Sequence, residues 1–413
     1  MSKATEPTFG TAEAGETDEF LSVMCDAFGM EPDAARPIFT SDPYFDLRNK
    51  YVLRLGGSIV SCLTVVERAC WIGDAIVKVA GIAGVATRNS HRRRGLAARL
   101  MLETIGALTV RGFHLSALFP VEYEYYRRLG WAAAGSQHTA VTIGSRSKPV
   151  QKPLAVRPAN SGDIPVLSLL YTAAARARTM HCLRDSTRWN YLLTYLPESC
   201  VAWDPSGSVV AYALCDAAET RSDSSSADAP LNADANRLRV LEIVGNSTAA
   251  SRSLRETLQT QDASRYVEFS GDRDDLVNMG LTPPFASAPG LMVRIVDVGK
   301  LIEALSVNWN AASGTLGIAL TDPIGFAPPQ AAVIHLNCGE VSVELIDPAA
   351  LKSRTQDYLV GGIGEWSAVA VGHLDAGAAC RSGALRASTS NAAHLAATLF
   401  PATEPYMPVA DHF

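Results

Sequence analysis

The residues best suited to chemistry lie in Arg92-Arg93-Arg94-Gly95-Leu96-Ala97, an R-x-x-G-x-A element between a strand-like segment and a long helix-like one. Gly95 and the small Ala97 let the backbone come close to a ligand. Unpaired amides and the dipole at a helix start favour phosphate oxygens, so a pyrophosphate is the group such a loop suits. A solvated arginine cluster is the plain alternative, but positive charge ahead of a helix opposes the dipole unless an anion binds there. No metal pattern competes with this reading. Cys25, Cys62, Cys70, Cys182, Cys200, Cys215, Cys338 and Cys380 lie far apart without a CxxC pair, and His91, His114, His138, His181, His335, His373 and His394 show no ligand spacing. The cysteines read as small core hydrophobes in a reducing compartment.

At 413 residues the chain is too long for one ordinary core, so two or three domains are expected. Apolar residues at 47% and charged residues at 19% exclude global disorder. The formal charge of −6 gives no basic excess, so no nucleic-acid partner is expected, whereas a cationic small substrate is compatible. The first twenty residues have no apolar signal core, and no apolar run reaches the ~18 residues of a membrane span. A cytoplasmic location is the expectation.

The elements that must position the loop can be read around it. LSVMCDAF has helical spacing, YVLRLGGSIVSCLTVV reads as a hairpin about Gly56-Gly57, and AIVKVAGIAGVAT is a long strand. After His91 the spacing of Leu96, Leu100, Ile105 and Leu108 predicts a helix that Gly112 stops. HLSALFP is a short strand, EYEYYRRLG a short helix ended by Gly130, and WAAAGSQHTAVTI another strand. SRSKPVQKP at 145–153 reads as a linker. A second α/β stretch follows, with a helix start at Asp163-Ile164-Pro165, strands CVAWD, VVAYALCD and RLRVLEIVG, and a mobile Ser/Ala/Asp-rich loop at 216–236. From GLMVRIVDVGKLIEAL a strand and helix open a third α/β stretch with strands GTLGIALTD, AAVIHLNCG and VSVELID.

GVATRNSHRRRGLAARLM resembles the cofactor motif of GNAT acetyltransferases. The resemblance implies acetyl-CoA in a wedge between two splayed strands. Main-chain groups of Val85, Ala86 and Thr87 would hold its acetyl and pantetheine part, and amides of Arg93, Arg94, Gly95, Leu96, Ala97 and Ala98 would cradle the pyrophosphate. Val121 and Glu122 would lie along the pantetheine arm. Tyr125-Tyr126-Arg127-Arg128-Leu129-Gly130-Trp131 is similar to the Tyr-x-x-x-Gly-aromatic segment of the same superfamily. A phenol near the sulfur can protonate the thiolate left by amine attack on a thioester. The register against Gly130 selects Tyr126, with Tyr123 and Tyr125 as packing residues.

Over its whole length the chain resembles the Eis (enhanced intracellular survival) family. That implies an α/β (α+β) fold with two tandem GNAT-like domains of mixed sheets and a sterol-carrier-protein-like α/β domain. The segments are 1–150, 151–290 and 291–413, and the second, with VLEIVGNSTAASRSL in place of the loop, binds no CoA. Family resemblance further implies acetylation of aminoglycoside-like polyamines or of lysine side chains, a homohexamer, and the chain's own C-terminal carboxylate, here that of Phe413, as general base. A terminal carboxylate with a pKa of about 3.3–3.7 is a poor base unless desolvated or linked through water, so the Pro-rich tail has to dock. His412 stands where an acidic neighbour is expected, either sharing the base role or lowering the negative charge offered to a polyamine; Asp26 is a candidate ammonium partner. A hydrophobic-ligand carrier acting through the C-terminal domain is the rival of another class, disfavoured by the complete RRRGLAA loop. A protein-lysine acetyltransferase stands beside the small-amine reading.

Overall fold

The computed structural model describes residues 6–40, 42–143, 154–217, 237–262, 264–322, 324–325 and 330–413. The linker at 145–153 lies outside them, as does the loop at 216–236 after its second residue. The chain divides into two compact units, Met1–Ala134 with Leu291–Pro405 and Phe413, and Gly135–Gly290 with Tyr406–His412. The fold is mixed α/β throughout.

The first unit holds two sheets. One contains β1 (Thr8–Thr11), β2 (Lys50–Leu55), β3 (Ser58–Ile72), β4 (Ala75–Thr87), β5 (Leu115–Leu118), β6 (Ala132–Ala133) and, from far along the chain, β14 (Met292–Ile295). Their spatial order is β1-β2-β3-β4-β5-β14-β6. Every pair is antiparallel except β4 with β5. Helices α1 (Thr17–Phe28), α2 (Pro32–Thr40), α3 (Leu96–Val110) and α4 (Tyr123–Arg128) connect these strands. The predicted stripe of α3 is buried: Leu96, Leu100, Ile105 and Leu108 pack with Leu53, Leu63, Val65 and Ile82. Each such side chain contributes about 1.5–3 kcal/mol of burial. A separate cluster joins Phe20 and Val23 of α1 to Val52, Ile59, Cys62 and Ala86. The other sheet has the order β17-β16-β15-β18-β19 and comprises β15 (Ser313–Thr321), β16 (Gln330–Asn337), β17 (Glu340–Ile346), β18 (Tyr358–Gly362) and β19 (Leu385–Ala387). Its helices are α9 (Val298–Leu305), α10 (Leu351–Arg354), α11 (Ile363–Ala370), α12 (Ala376–Ser382) and α13 (Ser390–Leu399).

The second unit is built on one sheet of order β13-β7-β12-β11-β10-β9-β8. Its strands are β7 (Ser136–Ile143), β8 (Ala155–Pro158), β9 (Cys200–Trp203), β10 (Val209–Ala217), β11 (Arg237–Gly245), β12 (Tyr266–Gly271) and β13 (Ala286–Pro289). Helices α5 (Ile164–Ala175), α6 (Ser186–Tyr195), α7 (Thr248–Gln261) and α8 (Arg273–Asn278) complete it. The expected strand WAAAGSQHTAVTI is thus two strands in two sheets. The chain breaks at Gly135, whose φ of 132° suits glycine alone, and a Cβ on Gly290 would lie 2.8 Å from the Gly135 carbonyl oxygen. That close crossing lets β7 and β13 pair in one sheet while β6 and β14 pair in the other.

An ionic cluster is sealed inside the second unit. The Arg184 guanidinium, fully buried, donates to Glu242 at 2.8 Å and to Asp411 at 2.8–3.0 Å, and stands 3.9 Å from the Tyr171 ring centroid. Arg188 donates to the Ala410 carbonyl, and the Tyr406 amide donates to the Thr179 carbonyl at 3.0 Å. The tail is therefore docked, as its Pro-rich, aromatic composition suggests. None of the cysteines forms a disulfide; six are buried, in keeping with their reading as core residues, whereas Cys338 is exposed and Cys380 half-buried. Among the described residues no helix is long and apolar enough to cross a membrane.

Burial, with Arg178 and Arg184 nearby, pushes the pKa of His181 down to about 3, and burial pushes that of His412 down to about 4. Both are neutral in the fold and take up a proton on unfolding below about pH 6.5. Their contribution to stability is therefore complete above that pH and is lost as pH falls toward the folded values, by up to about 1.4 kcal/mol per unit for each histidine. Denaturant unfolding between pH 6.5 and 5 is expected to show this loss, and His181→Gln to flatten it by about half; an unaltered slope would exclude His181 as a source.

Candidate active site

The site grows from a bulge in β4. Cys62 pairs with Ala86 and Thr64 with Ala83, so Gly84 and Val85 together oppose Leu63. Gly84 has a φ of 58°, a conformation that glycine adopts without strain, and an added Cβ would lie 2.9 Å from the Met24 methyl group. Upstream of this bulge β4 pairs with β5 only from Val79↔Leu115 to Gly81↔Ala117. Beyond that point the two parallel strands have no paired residues, and among the described residues no strand pairs with the β5-side edge of β4.

Phe413 lies at this fork. Its ring centroid is 5.4 Å from that of Phe119, which follows β5, and its ring carbons lie 2.6 Å from where a Cβ on Gly81 would stand. Any larger residue at 81 would displace it. Of the β4 residues singled out from the sequence, Val85 is half-buried against the α3 core, Ala86 is buried, and Thr87 shares a 2.9 Å hydrogen bond with the Ser61 hydroxyl. That hydroxyl also donates to the Ala86 carbonyl at 2.7 Å.

The loop after β4 is held from beneath by α1. Asn89 donates its amide to Asp26 at 2.8 Å and its side-chain nitrogen to the same carboxylate at 2.7 Å. Asp26, read from the sequence as an ammonium partner, is thus engaged in loop anchoring. Arg92 donates to the Ala27 carbonyl at 3.1 Å and the Thr87 carbonyl at 3.4 Å, so it too supports the loop. Arg93 and Arg94 are exposed. Arg93 at φ 59° and Gly95 at φ 75° turn the backbone into α3, whose first hydrogen bond runs from the Arg99 amide to the Gly95 carbonyl at 3.0 Å. The amides of Leu96, Ala97 and Ala98 precede that bond and have no intrahelical acceptor. An anion with several oxygens fits this turn, because the donors are unspent and Gly95 carries no side chain.

Val121 and Glu122 occupy an exposed turn before α4. Tyr126 packs against the same core cluster as Ile82 and Leu118, which flank the fork, and its ring is 5.1 Å from that of Tyr125. Burial raises the Tyr126 pKa above the ordinary phenol value, with Glu122 adding to the effect, so it keeps its proton through neutral pH. Tyr125 is pushed higher, to about 12, and its buried hydroxyl has no hydrogen-bond partner among the described residues. His412, with its pKa near 4, is uncharged at neutral pH and does not offset negative charge as one of its two expected roles required.

Gly130 owes its identity to a residue missed in the sequence. The wholly buried Arg294 of β14 donates through Nη1 to the Leu129 carbonyl at 2.8 Å and through Nη2 to the buried Asp322 at 3.0 Å. Its Nη1 lies 1.8 Å from where a Gly130 Cβ would be, and its Cζ is 5.4 Å from the Trp131 ring centroid. The guanidinium thus locks the end of α4, and with it the helix that carries Tyr126. The only signal in the sequence was one arginine inside the apolar run GLMVRIV.

Comparison with known proteins bears on the domain that carries this geometry. Residues 9–134 match the model of the acetyltransferase (GNAT) domain. An uncharacterized N-acetyltransferase of Streptomyces avermitilis is 27% identical over 364 residues, 82% of each chain. In fold the chain is similar to a GCN5-related N-acetyltransferase from Kribbella flavida, with a TM-score of 0.75 at 20% identity over 99% of this chain and 100% of that one. It is also similar to Eis1 from Mycobacterium abscessus, with a TM-score of 0.69 at 18% identity over the same shares. The first unit therefore contains a GNAT acetyltransferase domain at 9–134. The chain is an N-acetyltransferase, and acyltransferases of this fold use acyl-CoA.

Gly130→Ala combines a positive φ of 88° with an overlap on a buried guanidinium. It is expected to cost about 1–3 kcal/mol of unfolding free energy and to lower kcat more than it raises KM for the acyl donor. Denaturant melts with steady-state kinetics check this; wild-type stability and turnover would show that the Arg294 contact does not constrain α4.

Proposed function

We propose that the protein is an Eis-type, acetyl-CoA-dependent N-acetyltransferase acting on primary amines of aminoglycoside-like polyamines or on lysine side chains. The observation that carries this reading is the fork between β4 and β5, with the Arg93–Gly95 turn beyond it and the Phe413 ring lodged in it. Likeness in fold to Eis1 along nearly the whole chain supports the finer assignment; a hexamer and a cytoplasmic location belong to the same proposal.

Acetyl-CoA supplies the thioester whose carbonyl carbon the amine attacks. The amides of Arg93, Arg94, Gly95, Leu96, Ala97 and Ala98 bind its pyrophosphate, main-chain groups of Val85, Ala86 and Thr87 hold the acetyl and pantetheine end, and Val121 and Glu122 flank the arm. The α-carboxylate of Phe413 takes the proton the amine loses, directly or through a water. Lodging the Phe413 ring against Gly81 and Phe119 fixes where that carboxylate can reach. Tyr126, held protonated, offers its O–H to the departing sulfur.

Free-thiol release from acetyl-CoA is the test, with kanamycin and with a lysine peptide as acceptors. Removing Phe413 is expected to lower kcat by roughly 10²–10⁴-fold, and Tyr126→Phe to lower it within the same range, with KM for acetyl-CoA little changed. Turnover that is indifferent to loss of Phe413 would eliminate it as base. Tight acetyl-CoA binding with no transfer to kanamycin would assign the peptide, if that is acetylated, as the substrate class.

A further inference from the structure

The second unit contains a cavity of about 190 Å³ that takes no part in the site above. At the ~30 Å³ share of a liquid water molecule it has room for about six waters or one small organic molecule. Part of its wall is a strand edge. β11 is bonded to β10 as far as Gly245 but pairs with β12 only from Arg237↔Tyr266 to Val240↔Phe269. The last five residues of β11, from Leu241 on, all line the cavity and, among the described residues, pair with no strand on that side.

Two further lining groups lack a hydrogen bond of normal geometry among the described residues, although main-chain groups of Thr179 and Val409 lie near them. Tyr406 and His181 are each 6% exposed, with ring centroids 5.9 Å apart. The Tyr406 hydroxyl and the His181 Nδ1 are buried and make no hydrogen bond of normal geometry among the described residues. Buried polar atoms are seldom left so, because each has given up its water without replacement.

The charges around the cavity, by contrast, are matched. Arg178 donates to Asp272 at 2.7 Å and to Asp275 at 2.5 and 2.6 Å, while Glu242 receives both Arg184 and the Tyr212 hydroxyl. His181 is uncharged. An entering ion would shed its water and find no unmatched charged side chain. An uncharged ligand pays less, and the strand edge asks it for a donor and an acceptor a short way apart. A carboxamide supplies them, being the group the missing strand would itself present.

We infer that this cavity is a binding site for a small uncharged carboxamide, held between the open edge of β11 and the Tyr406 hydroxyl and His181 imidazole. The test is saturation-transfer NMR on the full chain with N-acetylethanolamine, beside acetate and ethanolamine as matched ions. The amide is expected to bind saturably and the ions not at all. An acetyltransferase can also hold an acetamide at its own site, so variants assign the location. Tyr406→Phe is expected to weaken binding about fivefold, the loss of one hydrogen bond. Ala174→Leu, which fills the cavity from α5 without removing a polar group, is expected to abolish it, and Tyr126→Phe to leave it unchanged. If Ala174→Leu does not fold, Tyr406→Phe decides alone. Binding undiminished in the cavity variants, ions binding as well as the amide, or no saturable binding because the cavity holds only water would each overturn the assignment.

Discussion

The backbone at Gly84 governs what the first sheet can do. A parallel pair left to itself would run on in register and present no opening, since its hydrogen bonds are evenly spaced along both strands. One extra residue in β4, tolerated because glycine accepts the left-handed conformation, twists the strand out of that register. Hydrogen-bonding capacity that the sheet would have consumed is released along one edge, at the place where Phe413 and the turn into α3 also lie. Asp26 and Arg92 then fix the direction in which the chain leaves β4. Affinity for an anion and the opening for an arm both follow from a single departure from regular pairing.

The parts of this arrangement that were legible in the sequence share one property: their signal is local. The R-x-x-G-x-A turn, the helical spacing of Leu96, Leu100, Ile105 and Leu108, and the strand AIVKVAGIAGVAT can each be read within about twenty residues. Gly81 and Gly84 carried a signal too, since a glycine within a strand marks a bulge or a close approach. Short β1 and Pro-interrupted α2 had too little periodicity to be seen. What could not be read depends on distant partners. Asp26 was a candidate ammonium partner and proves to hold Asn89, and Arg294 is one polar residue in an apolar strand. The division of WAAAGSQHTAVTI between two sheets had no local mark beyond Gly135.

The two large sheets repeat one plan and finish it differently. In each, a parallel pair ends early and a helix starts beyond the strand that diverges. Only the first has arginines and a left-handed turn at that point; the second has Ser247 capping α7 through its hydroxyl. Beside the second fork lies the Arg184–Glu242–Asp411 cluster, whose charges are spent on one another. Buried ion pairs of this kind give little net stability but are costly to break, because removing one member strands another. The same scaffold thus holds an open electrostatic site in one copy and a closed one in the other.

The position of β14 also bears on how the protein is made. This strand separates β5 from the edge strand β6, so one side of the first sheet is incomplete until residue 295 has been synthesised. At ribosomal rates of about 5–20 residues per second, the interval after β5 is on the order of ten to thirty seconds. Throughout it, an apolar strand with a bare edge is tethered to the ribosome. The amino-terminal segment is in that sense an acetyltransferase domain by ancestry but not an autonomous folding unit. Its exposure to chaperones, and its resistance to being excised or fused to another protein, are set by a strand encoded more than one hundred and fifty residues downstream.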